Sequence, residues 1–100
     1  MKPSTVLKKA RKLIERGWCK GPYATDKDGN EVDQYSRKAV NFCAAGASDR
    51  VCGKDDDLKD ECFSRLCAAN AISFTHQRIN KATILKRVDR AIALAEKEGR

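Results

Sequence analysis

The chain has 100 residues, of which 41% are hydrophobic and 35% charged, and its formal net charge is +7. This length predicts one small helical domain over residues 1–100. No apolar run approaches the ~18 residues that a membrane-spanning helix needs, and the N-terminus lacks the apolar region of a signal peptide. We therefore expect no membrane association and a cytoplasmic location.

Positive charge is concentrated at the two ends of the chain. Residues 2–20 hold seven basic side chains and one acidic one, and residues 76–100 hold seven basic and three acidic ones. Residues 21–75 instead hold seven basic and ten acidic side chains. If the two ends pack side by side, they form one basic face, which favours a negatively charged partner.

A basic amphipathic helix is predicted over residues 4–16. Its apolar positions have the spacing of a buried helical stripe, and Gly17 is a natural C-terminal stop. The opposite face carries Lys8, Lys9, Arg11, Lys12 and Arg16. Two interpretations of that face stay open, a solvated surface and a contact for nucleic acid or an acidic protein.

A small β-hairpin is predicted over residues 23–32, because Asp28-Gly29 supplies the residues that a tight two-residue turn requires. Residues 26–30 also resemble part of a calcium loop. The register of that loop, however, places Ala24 and Tyr35 where carboxylates are needed. Turn chemistry is therefore the better explanation of these residues.

A buried small-residue helix is predicted over residues 36–51, because residues 39–48 carry no charge and their apolar positions recur at helical spacing. We expect Val40 in its buried stripe and Gly53 just past its end. Gly46 inside this helix is unfavourable by about 1 kcal/mol relative to Ala. It therefore indicates close approach by another segment.

Two further helices are predicted, over residues 56–69 and 80–97. The first starts with Asp55-Asp56-Asp57, where the helix dipole favours negative charge, and Phe63 is expected on its buried side. The second is capped by Asn80, with Ile79 as part of a hydrophobic staple. Residues 71–76 are expected to connect them across the core.

The predicted fold class is thus all-α, a compact four-helix single domain with a short β-hairpin or turn between helices 1 and 2. Short connections favour antiparallel neighbouring helices. The patterning is compatible with a monomer and with a homodimer.

The five cysteines are Cys19, Cys43, Cys52, Cys62 and Cys67. Their number is odd, and reduced thiols are the better interpretation without a secretory signal. Structural zinc is the sharper alternative, but no pair has C-x-x-C spacing and the chain has one histidine. We therefore predict no metal and no cofactor.

Several short motifs together resemble a family of small bacterial and phage proteins of unknown function. They are Gly17-Trp18, Gly21, Ala24-x-Asp26-x-x-Gly29-x-x-Val32, Ala39-Val40-x-Phe42-Cys43-x-x-Gly46-Ala47 and the C-terminal run from Val88 to Ala95. The resemblance covers nearly the whole chain and implies a compact, mostly helical domain. It supplies no activity and no catalytic residue.

No arrangement of residues in the sequence points to an enzyme. His76 has no motif partner, and phosphate-binding glycine loops, G-x-S-x-G and H-E-x-x-H are absent. We predict a non-enzymatic accessory protein without catalytic residues that binds nucleic acid. The alternative is a phage-encoded interaction module that docks on an acidic host protein. The candidate contact residues for either partner are Lys8, Lys9, Arg11, Lys12, Arg16, Trp18, Lys20, Lys81, Lys86, Arg87 and Arg90.

Trp18 and Tyr23 are both expected to cover the core. An alternative role for Trp18, which lies close to Lys20, is to stack on a nucleic-acid base.

Overall fold

The computed structural model describes residues 1–70 and 80–100. Within this part of the chain the elements are α1 (Pro3–Arg16), β1 (Ala24–Thr25), β2 (Asn41–Phe42), α2 (Ala44–Cys52), α3 (Asp56–Asn70) and α4 (Lys81–Lys97). The prediction of a mainly helical fold with a short antiparallel hairpin between the first two helices is confirmed. The predicted connector over residues 71–76, which includes His76, lies outside the described residues. The predicted hydrophobic staple of Ile79 lies outside them as well.

The first helix begins one residue earlier than predicted, at Pro3, and ends as predicted at Arg16. Proline suits the first helical turn because the amide there has no partner within the helix. The Gly17 N–H donates to the Leu13 carbonyl over 3.1 Å and closes the last turn. A side chain at Gly17 would overlap Asn41 and the Val40 carbonyl, so β2 passes directly beside the end of α1.

The hairpin differs from the prediction in its loop and in its main partner. The Asp26 N–H donates to the Asn30 carbonyl over 2.9 Å, and Gly29 adopts φ +86°. This is a three-residue loop with a left-handed glycine, a common alternative to the two-residue turn. Residues 24–25 face residues 31–32 as predicted, through an antiparallel bridge between Thr25 and Glu31. The regular pairing of β1, however, is with β2, where Ala24 lies opposite Phe42 in antiparallel register.

The second helix begins at Ala44, so the predicted start at Ser36 is wrong. Ser36 forms a local turn in which its Oγ accepts the Lys38 N–H over 3.1 Å. Residues 41–42 then pair with β1, and the sulfur of Cys43 caps the helix by accepting the Gly46 N–H over 3.3 Å. The helix ends at Cys52, one residue later than predicted, and Gly53 follows it with φ +65°, as expected.

Gly46 is where α2 meets the hairpin. A Cβ atom at this position would overlap the Tyr23 carbonyl and would lie 3.0 Å from the Tyr23 Cα. The close approach predicted from this helical glycine is therefore confirmed.

The last two helices have the predicted capping signals. The Asp55 carboxylate accepts the Leu58 N–H over 3.1 Å at the start of α3. The Asn80 side chain accepts the Thr83 N–H over 2.9 Å at the start of α4. Both caps satisfy amides that the first helical turn leaves without partners.

One apolar cluster joins the four helices and the hairpin. Its buried members are Val6, Leu7, Ala10, Ile14, Ala24, Ala39, Phe42, Ala44, Ala47, Cys52, Cys62, Leu66, Ile84, Val88, Ala91 and Ile92. Trp18 is half-buried and packs against this cluster, as predicted. Tyr23, Val40 and Phe63 are 53%, 47% and 46% exposed, so the predictions that they cover or enter the core are wrong.

The exposed side chains of Val40 and Tyr23 have a common cause. Their backbones take part in the contacts of the hairpin with Gly17 and Gly46, and these contacts leave both side chains outside the cluster.

Among the described residues, no helix is long and apolar enough to cross a membrane.

Candidate functional site

The first and last helices pack side by side and antiparallel. The Lys8 ammonium lies 3.0 Å from the Glu96 carboxylate near one end of the contact. Towards the other end, the Lys81 ammonium donates to the Glu15 carbonyl over 2.6 Å. The two basic ends of the sequence therefore share one surface.

We call this surface the α1–α4 face and define it by the charged side chains of the two helices. Ten are basic and three are acidic. The basic members are Lys8, Lys9, Arg11, Lys12, Arg16, Lys81, Lys86, Arg87, Arg90 and Lys97, and the acidic ones are Glu15, Asp89 and Glu96.

All three acidic groups of the face lie along the seam between the helices. The Arg11 Nε lies 2.5 Å from Asp89 Oδ1, and its Nη2 lies 3.3 Å from Asp89 Oδ2. This is a two-point contact that suits the planar guanidinium. Arg11 also pairs with Glu15, one helical turn away. Arg11 and Lys8 therefore join the helices and are only partly available to a partner.

Two rows of exposed cations flank this seam. Lys9, Lys12 and Arg16 follow one another at i, i+3 and i+7, so they form one stripe on α1. Lys86 and Arg90, at i and i+4, form a second stripe on α4. Within residues 1–70 and 80–100, none of these five cations forms an ion pair, and their charges are open to solvent.

The remaining predicted contact residues occupy different surroundings. Arg87 is half-buried on α4, and Lys81 is exposed but bonded to α1. Trp18 and Lys20 lie in the loop that follows α1 rather than on a helix. Trp18 is held beside Phe42 by a single bridge between their backbones, and its side chain packs on the core.

A second basic region, absent from the sequence analysis, lies beside the end of α1. An open cleft of about 360 Å³ is lined by Asp26, Lys27, Asp28, Arg37, Lys38 and Val40. The Val40 carbonyl also borders Gly17, which places the cleft next to the C-terminus of α1. The sequence does not indicate this cleft, because it predicts Lys27 in a hairpin and Arg37 and Lys38 in a separate helix.

The Asp26 carboxylate at the edge of this cleft is bound by the backbone of its own loop. One oxygen of its carboxylate accepts the N–H groups of Asn30 and Asp28, each over 2.9 Å. These bonds, chiefly the one from Asn30, lower the pKa of Asp26. The carboxylate therefore stays ionised and is directed at its own loop.

The cysteines form two groups with different exposure. Cys52 and Cys62 are buried, and burial raises the pKa of Cys62 to about 12. Cys19, Cys43 and Cys67 are half-buried, and all five thiols are free. In the part of the chain that the structure describes, no three cysteine, histidine or carboxylate side chains come together as metal ligands.

The structure thus defines a mainly helical protein whose first and last helices form a basic surface. The chain belongs to a family of unknown function, DUF6197, whose model matches residues 1–98. The predicted membership of a family of unknown function is confirmed. No curated protein and no solved structure matches the chain.

Proposed function

We propose that this chain is a non-enzymatic accessory protein that binds nucleic acid through its α1–α4 face. The observation that carries the proposal is the pair of exposed cation rows, Lys9, Lys12 and Arg16 on one helix and Lys86 and Arg90 on the other. The acidic groups that could neutralise them are held in the seam by Arg11 and Lys8. The rows therefore offer a field that attracts phosphates.

The proposed mode of binding is phosphate contact. Lysine and arginine side chains on an open helical surface bind the backbone and carry little sequence information. Five such contacts to duplex DNA give a slope of log affinity against log salt of about −4.5. The binding is thus expected to weaken steeply as the salt concentration rises.

A salt titration by fluorescence anisotropy tests this proposal on protein stripped of contaminating nucleic acid. Labelled duplex and single-stranded DNA and RNA are compared. The combined change of Lys9, Lys12 and Arg16 to Ser removes the α1 row and is expected to reduce the slope for duplex DNA to about −2. An unchanged slope and affinity would show that the row makes no contact.

Two single substitutions provide matched controls. Lys12→Ser and Lys54→Ser each remove one positive charge from an exposed lysine, but only Lys12 lies on the α1–α4 face. Affinity is expected to fall for Lys12→Ser and to stay nearly constant for Lys54→Ser. Equal losses would point to net charge alone.

A substitution that removes a negative charge from the α1–α4 face gives a further test. Asp89→Asn removes a negative charge from the seam and releases Arg11 from its two-point contact. We expect it to raise affinity at low salt.

If no form of nucleic acid binds at low salt, the proposal is refuted, and a pull-down from lysate then tests an acidic protein as the partner of the same face.

A further inference from the structure

Two half-buried cysteines far apart in sequence lie beside each other where the hairpin meets α2. The Phe42 N–H donates to the Gly17 carbonyl over 3.0 Å, and the Cys19 N–H donates to the Phe42 carbonyl over 3.2 Å. These two bonds pair Trp18 with Phe42 in parallel register. Cys19 and Cys43 are the next residues on the two segments.

The register also sets the directions of the two side chains. Successive residues of extended chains point to opposite faces, so Cys19 and Cys43 point away from the Trp18 and Phe42 side chains and towards a common face. Neighbouring extended segments lie about 4.8 Å apart. That spacing falls within the ~4.4 to 6.8 Å that Cα atoms of a disulfide span.

Neighbouring groups hold both sulfurs at this site. The Cys19 Sγ donates to the Pro22 carbonyl over 3.3 Å, and the Cys43 Sγ accepts the Gly46 N–H over 3.3 Å. Cys43 itself is fixed by donating its N–H to the Tyr23 carbonyl over 3.2 Å. The pair is therefore positioned before any reaction takes place.

From this geometry we propose that Cys19 and Cys43 are a modification site that forms a reversible disulfide by exchange with small disulfides, of which oxidised glutathione is the probe. One protein thiolate attacks a sulfur of the small disulfide, and the other half leaves as a thiolate. The second protein thiolate then attacks the protein sulfur of this mixed disulfide and displaces the remaining half. Two protein thiols are oxidised, and one small disulfide is reduced to two thiols.

The surroundings of the thiols determine the pH dependence of the exchange. Burial raises the pKa of Cys19 and of Cys43, while the Gly46 amide opposes the rise at Cys43. The reactive species is the thiolate, whose population below the pKa increases tenfold with each pH unit. The initial rate of exchange is therefore expected to rise about tenfold between pH 7 and pH 8.

The test treats the reduced full-length chain with excess oxidised glutathione and follows it by intact mass and by peptide mapping without reduction. We expect a product that has lost two hydrogens, in which the peptides of Cys19 and Cys43 are joined. The Cys19→Ser and Cys43→Ser variants are each expected to stop at the mixed disulfide. Serine at position 43 can still cap α2, so that variant keeps its fold.

Cys67→Ser is the matched control, because Cys67 is also half-buried but lies on α3, which contributes neither cysteine of the pair. It should form the same cross-link at the same rate. The cross-linked chain is expected to unfold roughly 15 °C higher than the reduced chain, since the bond closes a loop of about 25 residues. Independent glutathione adducts on both thiols, a different cysteine pair, or no reaction at either thiol would overturn the proposal.

Discussion

Gly46→Ala is expected to destabilise the protein although alanine favours helices. The new methyl group would lie 2.7 Å from the Tyr23 carbonyl carbon and would overlap its oxygen. That oxygen accepts the Cys43 N–H, and the next residues pair with β2, so the backbone of Tyr23 is held on both sides. The helix gains about 1 kcal/mol. Overpacking against a fixed backbone, about 1 to 3 kcal/mol, and a lost hydrogen bond, about 1 kcal/mol, outweigh this gain.

The net loss in the free energy of unfolding is expected to be about 1 to 3 kcal/mol, which lowers the thermal midpoint of a chain this size by roughly 5 to 20 °C. Urea and thermal unfolding followed by circular dichroism measure both quantities. Ala45→Gly is the control, because it removes about 1 kcal/mol of helix propensity at the neighbouring position, the same amount that Gly46→Ala adds. A Gly46→Ala protein more stable than the wild type would refute the packing argument.

Asn80→Ala is expected to lose about 1 kcal/mol of stability in thermal unfolding, because the Thr83 N–H loses its acceptor. Asn80→Ser keeps an acceptor and should lose less; equal losses would contradict the capping role. Asp26 stabilises the fold above its unfolded pKa, and this contribution is lost as pH falls through its lowered folded pKa. Urea unfolding between pH 2 and 6 should therefore show that the free energy of unfolding falls less with pH in Asp26→Asn than in the wild type. Identical profiles would rule out this carboxylate as a source of the pH dependence. Cys62→Ala should leave its buried neighbours less well packed and lower the urea midpoint more than Cys67→Ala does; the reverse order would refute this.

Local signals in the sequence were sufficient for three of the four helices in the described residues. The stripe of α1, the acidic start of α3 and the Asn80 cap of α4 each act within one or two turns. The start of α2 depends instead on a partner strand, since Asn41 and Phe42 pair with β1 across the hairpin. Helical spacing in a charge-free run gives no information about a partner strand. The sequence therefore predicts the start of this helix eight residues too early.

The candidate site shows the same division between local and distant causes. The sequence indicated which helices carry the cations, because helical spacing separates charged from buried positions. It did not indicate that Arg11 and Lys8 pair with Asp89 and Glu96, which lie 78 and 88 positions away. Those pairs divide the predicted contact residues into seam residues and exposed ones.

The seam between the first and last helices has a consequence for how the fold is completed. Contacts between residues 88 positions apart form only after α4 has been synthesised. During synthesis from the N-terminus, α1 can pack on α2 but has no α4 beside it until residues 81–97 have left the ribosome. Helix α4 therefore packs against α1 late in synthesis, and a chain truncated within α4 would leave the apolar stripe of α1 without its partner.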